Sequence, residues 1–333
     1  MGNKMNRNDV AKFAKVSPST VTRALNDHKS IPAATRNRLK KIAAKYGYVP
    51  SHLGRSHYQK KSFRLGVIIP YDYEKKTHPL PSEYFSKLLF GILHEAAKNK
   101  YTINLIADNN LSAEEMAKAV LSHSVDGLIM FIRKTGDSRY SYLHKNKIPF
   151  MLVHDYVPNK PYLYVDCDSR PGMEEAFKYL VSKKVKNAGY LTGGNDYMNS
   201  LDRTKIFNQL AEKYNIHVSS IVDGDFSRKS GLQAAKEFLE KKLPQAIICA
   251  NDKMAFGLIE GLKQFDVHVP RDLGVIGFDN QDVANLAAFK LTTIENPYFE
   301  AGEQAAKILI EKINGEKPES VLIDSKFILR ESL

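Results

Sequence analysis

From Phe63 to the end of the chain, short apolar runs alternate with segments that have the spacing of amphipathic helices. The apolar runs predict strands over 63–70, 102–107, 127–132, 149–153, 187–192, 219–224, 245–250 and 273–278. The helical spacing predicts helices near 84–99, 113–121, 170–183, 201–214, 228–241, 252–265 and 297–314. Strands of about four to eight residues that alternate with helices favour right-handed βαβ units and a parallel sheet. The strands are too numerous for one comfortable sheet, so this part of the chain is predicted to be α/β with more than one sheet.

The first part of the chain has helical spacing instead. Asn6 can cap a first helix, with Asp9 three residues later, and Ser17 can cap a second helix. Pro18 falls at the first position of that second helix, where a missing N–H costs nothing. The apolar positions expected to face inward are Val10, Ala11, Phe13, Ala14, Val21, Ala24 and Leu25. The pattern therefore predicts two short helices joined by a tight turn.

The outward face of the second helix is polar and has no acid. Its members are Ser19, Thr20, Thr22, Arg23 and Asn26. A short helix with small hydroxyls and one arginine fits a DNA major groove, although an ordinary helical hairpin has the same pattern. A third helix is predicted over 30–45, and its basic outward face favours the DNA interpretation. Those basic residues are Arg36, Arg38, Lys40, Lys41 and Lys45.

The charge of the chain is concentrated near its N-terminus. Residues 1–64 hold fifteen Lys/Arg and two acids, a net charge of +13. The remaining residues hold 34 basic and 35 acidic groups, a net charge of −1. This distribution is expected of a head that displaces counterions from phosphates. An anionic membrane would also attract the head, but the head lacks an apolar stripe that would hold it there.

Other classes of protein find little support. No apolar run approaches the roughly 18 residues of a membrane span, and no signal peptide is visible. Cys167 and Cys249 lie far apart in apolar contexts, which favours free thiols in a reducing cytoplasm over a disulfide or a metal site. We find no Ser-His-Asp ordering, metal-ligand cluster or phosphate-binding loop, and Gly193–Gly194 lacks the other glycines of a dinucleotide loop. We therefore predict no catalytic residues, no metal and no cofactor.

Polar and aromatic residues follow several predicted strands. In parallel sheets, ligands collect in the crevice at the carboxyl ends of the strands. The residues at those ends are Tyr71, Asp72, Tyr197, Ser200, Arg203, Phe226, Asn251, Asp252, Asp279 and Asn280. Acids, an amide and an arginine suit sugar hydroxyls, and an aromatic face suits the apolar side of a sugar ring. As alternatives, Asp252 and Asp168 are expected to cap helices, and loop aromatics can be core residues.

The string DVAKFAKVSPSTVTRALN, followed by TRNRLKKIAAKYGYVP, resembles the DNA-binding head of the LacI/GalR family of bacterial transcription regulators. The runs ANDKMAFG at 250–257, VPRDLGVIGFDN at 269–280 and LTTIENP at 291–297 extend the resemblance toward the C-terminus. It implies an all-α helix-turn-helix head at 1–50, a hinge helix at 51–62 and an effector-binding core at 63–333. The core would be a periplasmic-binding-protein-like α/β fold of two doubly wound parallel-sheet subdomains. The resemblance places the N-subdomain at 63–160 and 296–319, and the C-subdomain at 164–291 and 322–333.

The resemblance also implies roles for residues of the head and the hinge. Pro18, Ser19 and Arg23 should face base edges, with Arg23 the best candidate for a guanine. Ser17, Thr20, Thr22, Asn26 and Thr35 should touch phosphates, and Tyr48, Ser51, Leu53 and His57 complete the DNA-binding set. His57 stands where the family has a leucine wedge, and Leu53 can substitute for it.

In the core, the resemblance implies that Arg203, Asn251 and Asp279 bind effector hydroxyls above Phe226 as a stacking floor. Tyr84 and Phe85 would add aromatic contacts from the N-subdomain, and Tyr71, Asp72 and Tyr197 would complete the pocket. The function expected is a cytoplasmic, homodimeric, DNA-binding regulator, with a repressor favoured, controlled by a small carbohydrate-like effector. A solute-binding protein without a regulatory role and a purine-type corepressor-dependent regulator are the alternatives.

Overall fold

The computed structural model describes residues 6–48, 61–70, 82–131, 138–154, 156–157, 159–195, 198–282, 284 and 289–333. The helices of these ranges are α1 (Arg7–Ala14), α2 (Pro18–Leu25), α3 (Ala33–Lys45), α4 (Ser82–Lys98), α5 (Ala113–Leu121), α6 (Arg139–Lys145), α7 (Ser169–Ser182), α8 (Met198–Lys213), α9 (Arg228–Glu240), α10 (Asp252–Lys263) and α11 (Tyr298–Ile313). The strands are β1 (Arg64–Pro70), β2 (Thr102–Asp108), β3 (Gly127–Phe131), β4 (Phe150–Val153), β5 (Tyr164–Asp168), β6 (Asn187–Leu191), β7 (His217–Val222), β8 (Ala246–Cys249), β9 (Gly274–Phe278), β10 (Thr293–Glu295), β11 (Val321–Asp324) and β12 (Lys326–Ile328).

The head is a three-helix unit whose ends are fixed by side-chain caps. Asn6 and Asp9 form a reciprocal capping box at the start of α1. Ser17 accepts a bond from the Thr20 amide at the start of α2, and Pro18 occupies the first turn. The buried core of the head consists of Val10, Ala11, Ala14, Val21, Ala24 and Leu39. The structure thus has the two short helices that the caps predicted.

One apolar residue of the head does not face inward as predicted. Phe13 is 55% exposed, and its ring packs edge-on against Tyr46 at 4.9 Å between ring centroids. Because α1 has only eight residues, Val10, Ala11 and Ala14 complete its inward face, and Phe13 falls at the edge of that face.

The core contains two six-stranded sheets. The first has the order β11-β5-β4-β3-β1-β2, and the second has the order β12-β10-β9-β8-β6-β7. All pairings in the first sheet are parallel, and in the second only β10 and β12 pair antiparallel. In each sheet the strand order reverses beside its first strand, which is the topology of a doubly wound fold with a crevice at the carboxyl ends. The predicted fold class of the core is confirmed.

The chain crosses between the sheets three times, and the crossings lie later than predicted. The strand Tyr164–Asp168 pairs with β4 and β11 in the first sheet, although the sequence assigned it to the C-subdomain. The strand Val321–Asp324 also belongs to the first sheet, whereas Thr293–Glu295 belongs to the second. The sequence predicted crossover strands near 160–164, 291–296 and 318–323, and the short strands found close to these positions have main-chain partners in the sheets.

Each sheet has its own hydrophobic core. The first sheet is covered on one face by α4 and α11 and on the other by α5 and α6. The second sheet is enclosed by α7, α8, α9 and α10, with Phe177, Phe207 and Phe238 fully buried. The two cores define two lobes, called the first lobe and the second lobe below. The lobes meet where α4 and the start of α11 contact residues that follow β9, and this region is called the cleft below.

Candidate functional site

The second helix of the head presents the predicted polar surface. Ser17, Pro18, Ser19 and Arg23 are exposed. The other predicted DNA contacts of the described head are half-buried, namely Thr20, Thr22, Asn26, Thr35 and Tyr48. The exposed side of α2 can therefore enter a groove as a unit, while its inward residues Val21 and Ala24 hold it on the head.

The hydroxyls of α2 are held by local hydrogen bonds. The Ser17 hydroxyl accepts the Thr20 amide at 3.1 Å and lies 2.7 Å from the Ser19 hydroxyl. The Thr22 hydroxyl donates to the Pro18 carbonyl at 3.1 Å. The Asn26 side-chain oxygen is buried without a described hydrogen-bond partner, so its amide nitrogen is the group left for a phosphate. The hydroxyl positions are therefore fixed before DNA arrives.

Both acids of the head are held by hydrogen bonds inside it. Asp9 accepts the Asn6 amide in the capping box. Asp27 accepts from the Lys40 ammonium at 2.6 Å and lies 3.8 Å from Arg36. The hydrogen bond from Lys40 lowers the pKa of Asp27. The charge of Asp27 is therefore compensated by cations of the head, which limits its repulsion of phosphates.

Six predicted contacts lie outside the described residues and stay predictions. They are Ser51, Leu53, His57, Tyr71, Asp72 and Tyr197.

In the cleft, Arg203 of α8 is buried and held from several sides. Its guanidinium donates to the Ala250 carbonyl at 2.8 Å and to the Asp279 carboxylate at 3.3 Å. The same group lies 4.0 Å above the ring of Phe278. Burial disfavours the charged form, but the neighbouring Asp279 and Tyr298 outweigh it and raise the pKa of Arg203. Arg203 is thus a fixed cation whose Nε is buried without a described partner.

Asp279 collects hydrogen bonds on one oxygen. Its Oδ1 accepts from Arg203, from the Asn296 amide at 3.3 Å and from the Tyr298 hydroxyl. No described residue donates to its other oxygen. Asp279 has a left-handed backbone (φ 98°), which turns the chain at the end of β9 and aims the carboxylate toward the first lobe.

The first lobe contributes an aromatic wall opposite Asp279. The ring of Tyr84 lies 4.7 Å from that of Tyr298 and 5.3 Å from that of His154. His154 also lies 3.2 Å from the Cys167 sulfur. Burial, with a smaller contribution from the charge of Arg203, lowers the pKa of His154 to about 3, so the imidazole is neutral near pH 7. The Tyr84 hydroxyl is buried without a described partner, and Phe85 packs edge-on against Phe131.

Asn251, and not Asp252, caps α10. The cap of α10 is Asn251, whose side chain accepts the Met254 amide at 2.8 Å and donates to the Phe226 carbonyl at 2.9 Å. The prediction that Asp252 caps this helix is wrong. Asp252 accepts the Thr293 hydroxyl at 2.6 Å, and burial raises its pKa.

The helix cap that was expected of Asp168 is confirmed, because its carboxylate accepts the Arg170 amide at 2.8 Å.

Phe226 lies beside the cleft with a left-handed backbone (φ 63°). Its ring covers Gly193 so closely that a Cβ there would lie 2.1 Å from a ring carbon. The glycine after β6 therefore makes room for the aromatic ring that the sequence predicted as a stacking floor.

Sequence reasoning missed four polar residues of the cleft. His154 follows β4 directly, Cys167 lies near the end of β5, and Asn296 and Tyr298 follow β10. All four stand at carboxyl ends of strands, so the rule that selected Arg203 and Asp279 could have found them. His154 was missed because 149–153 was considered only as a strand, and Asn296 was missed because 291–296 was assigned to a crossover.

The lobes also touch at the rim of the cleft. Lys87 of α4 donates to the Asn280 carbonyl at 3.1 Å and pairs with Glu83 at 3.2 Å. Glu83 accepts the backbone amide of Asp282. Ion pairs and backbone groups therefore connect the first lobe to the loop after β9.

A helix-turn-helix head followed by two doubly wound lobes with a polar cleft defines a DNA-binding, ligand-binding protein. Residues 8–51 match the family described as bacterial regulatory proteins, lacI family, and residues 177–333 match the periplasmic binding protein-like domain. The chain therefore combines a DNA-binding head of the lacI family of bacterial regulatory proteins with a periplasmic-binding-protein-like domain.

Relatives span nearly the whole chain. The HTH-type transcriptional repressor CytR of Escherichia coli (strain K12) is 29% identical over 332 residues, covering 97% of this chain and 95% of the relative. The lac repressor dimer bound to operator and the anti-inducer ONPF has the same fold, with a TM-score of 0.84, 22% identity and 99% coverage of both chains. A LacI family regulator from Enterococcus faecium with bound ribose is 27% identical, with a TM-score of 0.67, and covers 81% of this chain and 98% of its own.

Among the described residues, no helix is both long and apolar enough to cross a membrane. Within the same ranges, no three His, Cys, Asp or Glu side chains come together as metal ligands would.

Proposed function

We propose that this regulator is a cytoplasmic repressor whose operator affinity is controlled by a neutral carbohydrate-like effector bound in the cleft. The effector changes the relative angle of the lobes and so the spacing of two heads in a dimer. By linkage, the free energy of operator binding changes by the difference in effector-binding free energy between the two lobe angles, typically about 1–3 kcal/mol. An inducer releases DNA and a corepressor favours binding.

The observation that carries the proposal is the incomplete hydrogen bonding of the cleft. Arg203 Nε, the Tyr84 hydroxyl and the Asn296 oxygen are buried without described partners. Buried groups of this kind cost free energy unless a ligand or water satisfies them. Together they offer one cationic donor, one hydroxyl and one acceptor, and the free oxygen of Asp279 adds a second acceptor. Vicinal hydroxyls match this set of donors and acceptors, and the similar regulator from Enterococcus faecium has ribose bound.

A purine or nucleoside is the second candidate. The observation that favours it is the aromatic wall formed by Tyr84, His154 and Tyr298, on which a planar base could stack. The charged pair Arg203–Asp279 favours the hydroxyl-rich ligand because both partners bind hydroxyls bidentately.

A thermal-shift screen separates the candidates. The purified dimer is heated with D-ribose, D-glucose, D-galactose, cellobiose, adenosine and cytidine, since a specific ligand stabilises by mass action. We expect a saccharide to raise the melting temperature of the parent and not that of Asp279→Asn. The control is Asp266→Asn, whose carboxylate is 95% exposed. A shift with adenosine alone would replace the carbohydrate by a nucleoside, and a shift that survives Asp279→Asn would remove the cleft from the account.

Arg23→Ala should weaken binding to a selected operator by about 1–3 kcal/mol and relax the preference at one base pair. The exposure of Arg23 on α2 supports this role. Binding is measured by fluorescence anisotropy on the operator and on single-base variants. The control is Lys12→Ala on the neighbouring helix, which should lower affinity uniformly if at all. An equally uniform loss for Arg23→Ala would mark it as a phosphate contact.

The proposed dimer forms through the core. On the first lobe, Phe90 (61% exposed), Leu93 (46%) and Phe299 (43%) lie close together on α4 and α11, and an apolar patch of this kind marks an interaction surface. Leu93→Asp should shift sedimentation toward the monomer and weaken operator binding. Leu322→Asp, at a comparably exposed leucine on the edge strand β11, should stay dimeric. A fully dimeric Leu93→Asp would place the dimer contact elsewhere.

A further inference from the structure

Tyr298 connects the two lobes through a single hydroxyl. It is the first residue of α11, and its ring belongs to the hydrophobic core of the first lobe, 2% exposed. The ring lies 4.7 Å from that of Tyr84 and 4.9 Å from that of His154. Its hydroxyl donates to Asp279, which stands at the end of a strand of the second lobe. A side chain of the first lobe therefore donates a hydrogen bond to a carboxylate of the second lobe.

This hydroxyl occupies an acceptor oxygen that an effector hydroxyl could use. Asp279 Oδ1 already accepts from Arg203 and Asn296, so the tyrosine is the third donor on one oxygen. The Asn296 amide also lies 3.0 Å from the Tyr298 oxygen. An oxygen with three donors has no capacity left for an incoming hydroxyl. A sugar hydroxyl that uses this oxygen must therefore displace one donor, and Arg203 is held in place by Ala250 and Phe278.

We propose that the Tyr298 hydroxyl is an internal substitute for an effector hydroxyl, which holds the lobes together in the free protein and is displaced when the effector binds. This inference rests on the proposed function, because it names how the same cleft is regulated. Displacement frees the start of α11 from the second lobe. Since α11 packs on the first sheet beside α4, the displacement changes the contact between the lobes directly. Tyr298 is then a specificity-determining residue, because a ligand binds only if its own hydrogen bond to Asp279 offsets the loss of the Tyr298 bond.

The variant Tyr298→Phe tests the inference, because it removes one oxygen and keeps the ring among Tyr84 and His154. Asp279 retains Arg203 and Asn296 as donors. The control is Tyr101→Phe in the core of the first lobe, where the lost hydroxyl is buried and has no described partner. Both variants remove a buried tyrosine hydroxyl, but only one of them removes a bond between the lobes.

The first measurement uses no ligand. Amide hydrogen exchange in the first turn of α11 and in the loop after β9 should become faster in Tyr298→Phe and stay at the parent rate in Tyr101→Phe. Parent-like exchange at both places in Tyr298→Phe would overturn the inference. This arm is independent of whether any carbohydrate binds.

The second measurement is isothermal titration with D-ribose, D-glucose, D-galactose and cellobiose. A saccharide that binds the parent should bind Tyr298→Phe about tenfold more tightly, since it no longer competes with a hydrogen bond to a charged group. Weaker or equal binding would overturn the inference, because Tyr298 would then be an effector contact or a bystander. If no saccharide binds either protein, the carbohydrate proposal fails, and the exchange rates alone decide whether Tyr298 holds the lobes together.

Discussion

Replacing Arg203 by methionine should lower the free energy of unfolding by about 3–5 kcal/mol, because it leaves a buried carboxylate without its cation. Asp279 is 6% exposed, so water cannot solvate the charge that remains. Methionine keeps most of the aliphatic volume above Phe278, which limits the effect of a cavity. The variant should also lose every effector response. Urea unfolding followed by circular dichroism measures the stability difference.

The control for Arg203→Met is Arg271→Met, which removes an ion pair of similar length at the surface. Arg271 contacts Asp272 at 2.9 Å, but its side chain is 66% exposed, so the expected cost is about 0–1 kcal/mol. The double variant Arg203→Met with Asp279→Asn should recover part of the stability lost in the single variant, because the uncompensated charge is gone. Additive losses would show that the two side chains act independently in the folded protein.

Stability should fall as the pH is lowered from 7 to 5, and His154 should supply about 2 kcal/mol of that loss. Its pKa is about 3 in the fold and about 6.5 when unfolded, so the unfolded chain binds the extra proton. The contribution is fully present above pH 6.5 and is lost by about 1.4 kcal/mol per pH unit as the pH falls toward 3. Urea unfolding at several pH values measures the slope.

Two variants test whether His154 causes this pH dependence of stability. His154 has a left-handed backbone (φ 56°), which asparagine tolerates, so His154→Asn removes the titration and should flatten the pH profile. The exposed His123 has nearly the same backbone (φ 57°), and His123→Asn should follow the parent at every pH. Identical slopes in all three proteins would show that His154 is not buried in its neutral form.

The head could be predicted from local signals alone. Asn6, Ser17 and Pro18 fix the helix starts through short-range bonds that depend on a few neighbouring residues. The error at Phe13 has a local cause as well, because a helix of two turns has room for few inward positions. Which other residue covers Phe13 depends on the third helix, where Tyr46 lies.

In the core, the sequence predicted the central strands and the position of the cleft. The strand Tyr164–Asp168 was missed because it is short and lies beside an edge strand. Its membership in the first sheet is a long-range property, set by pairing with Val321–Asp324 far along the chain. Short segments with remote partners carry too little local pattern to be assigned.

Within the cleft, residue type predicted chemistry better than it predicted contacts. Arg203 and Asp279 do meet, because both stand at carboxyl ends of the second sheet. Neither the cap made by Asn251 nor the bond between Tyr298 and Asp279 could be predicted. The first depends on which of two adjacent polar residues has the extended backbone, and the second depends on how the lobes face each other.

The most direct test of the central claim joins the head to the cleft in one measurement. An operator is selected from random duplexes with the purified dimer, and its affinity is measured by anisotropy with and without the saccharide found in the screen. We expect a pseudo-palindromic sequence and a change in affinity of about 5- to 150-fold, in either direction, that Asp279→Asn abolishes while it still binds the same DNA. No sequence preference, or an operator affinity that stays constant when the saccharide occupies the cleft, would contradict the account.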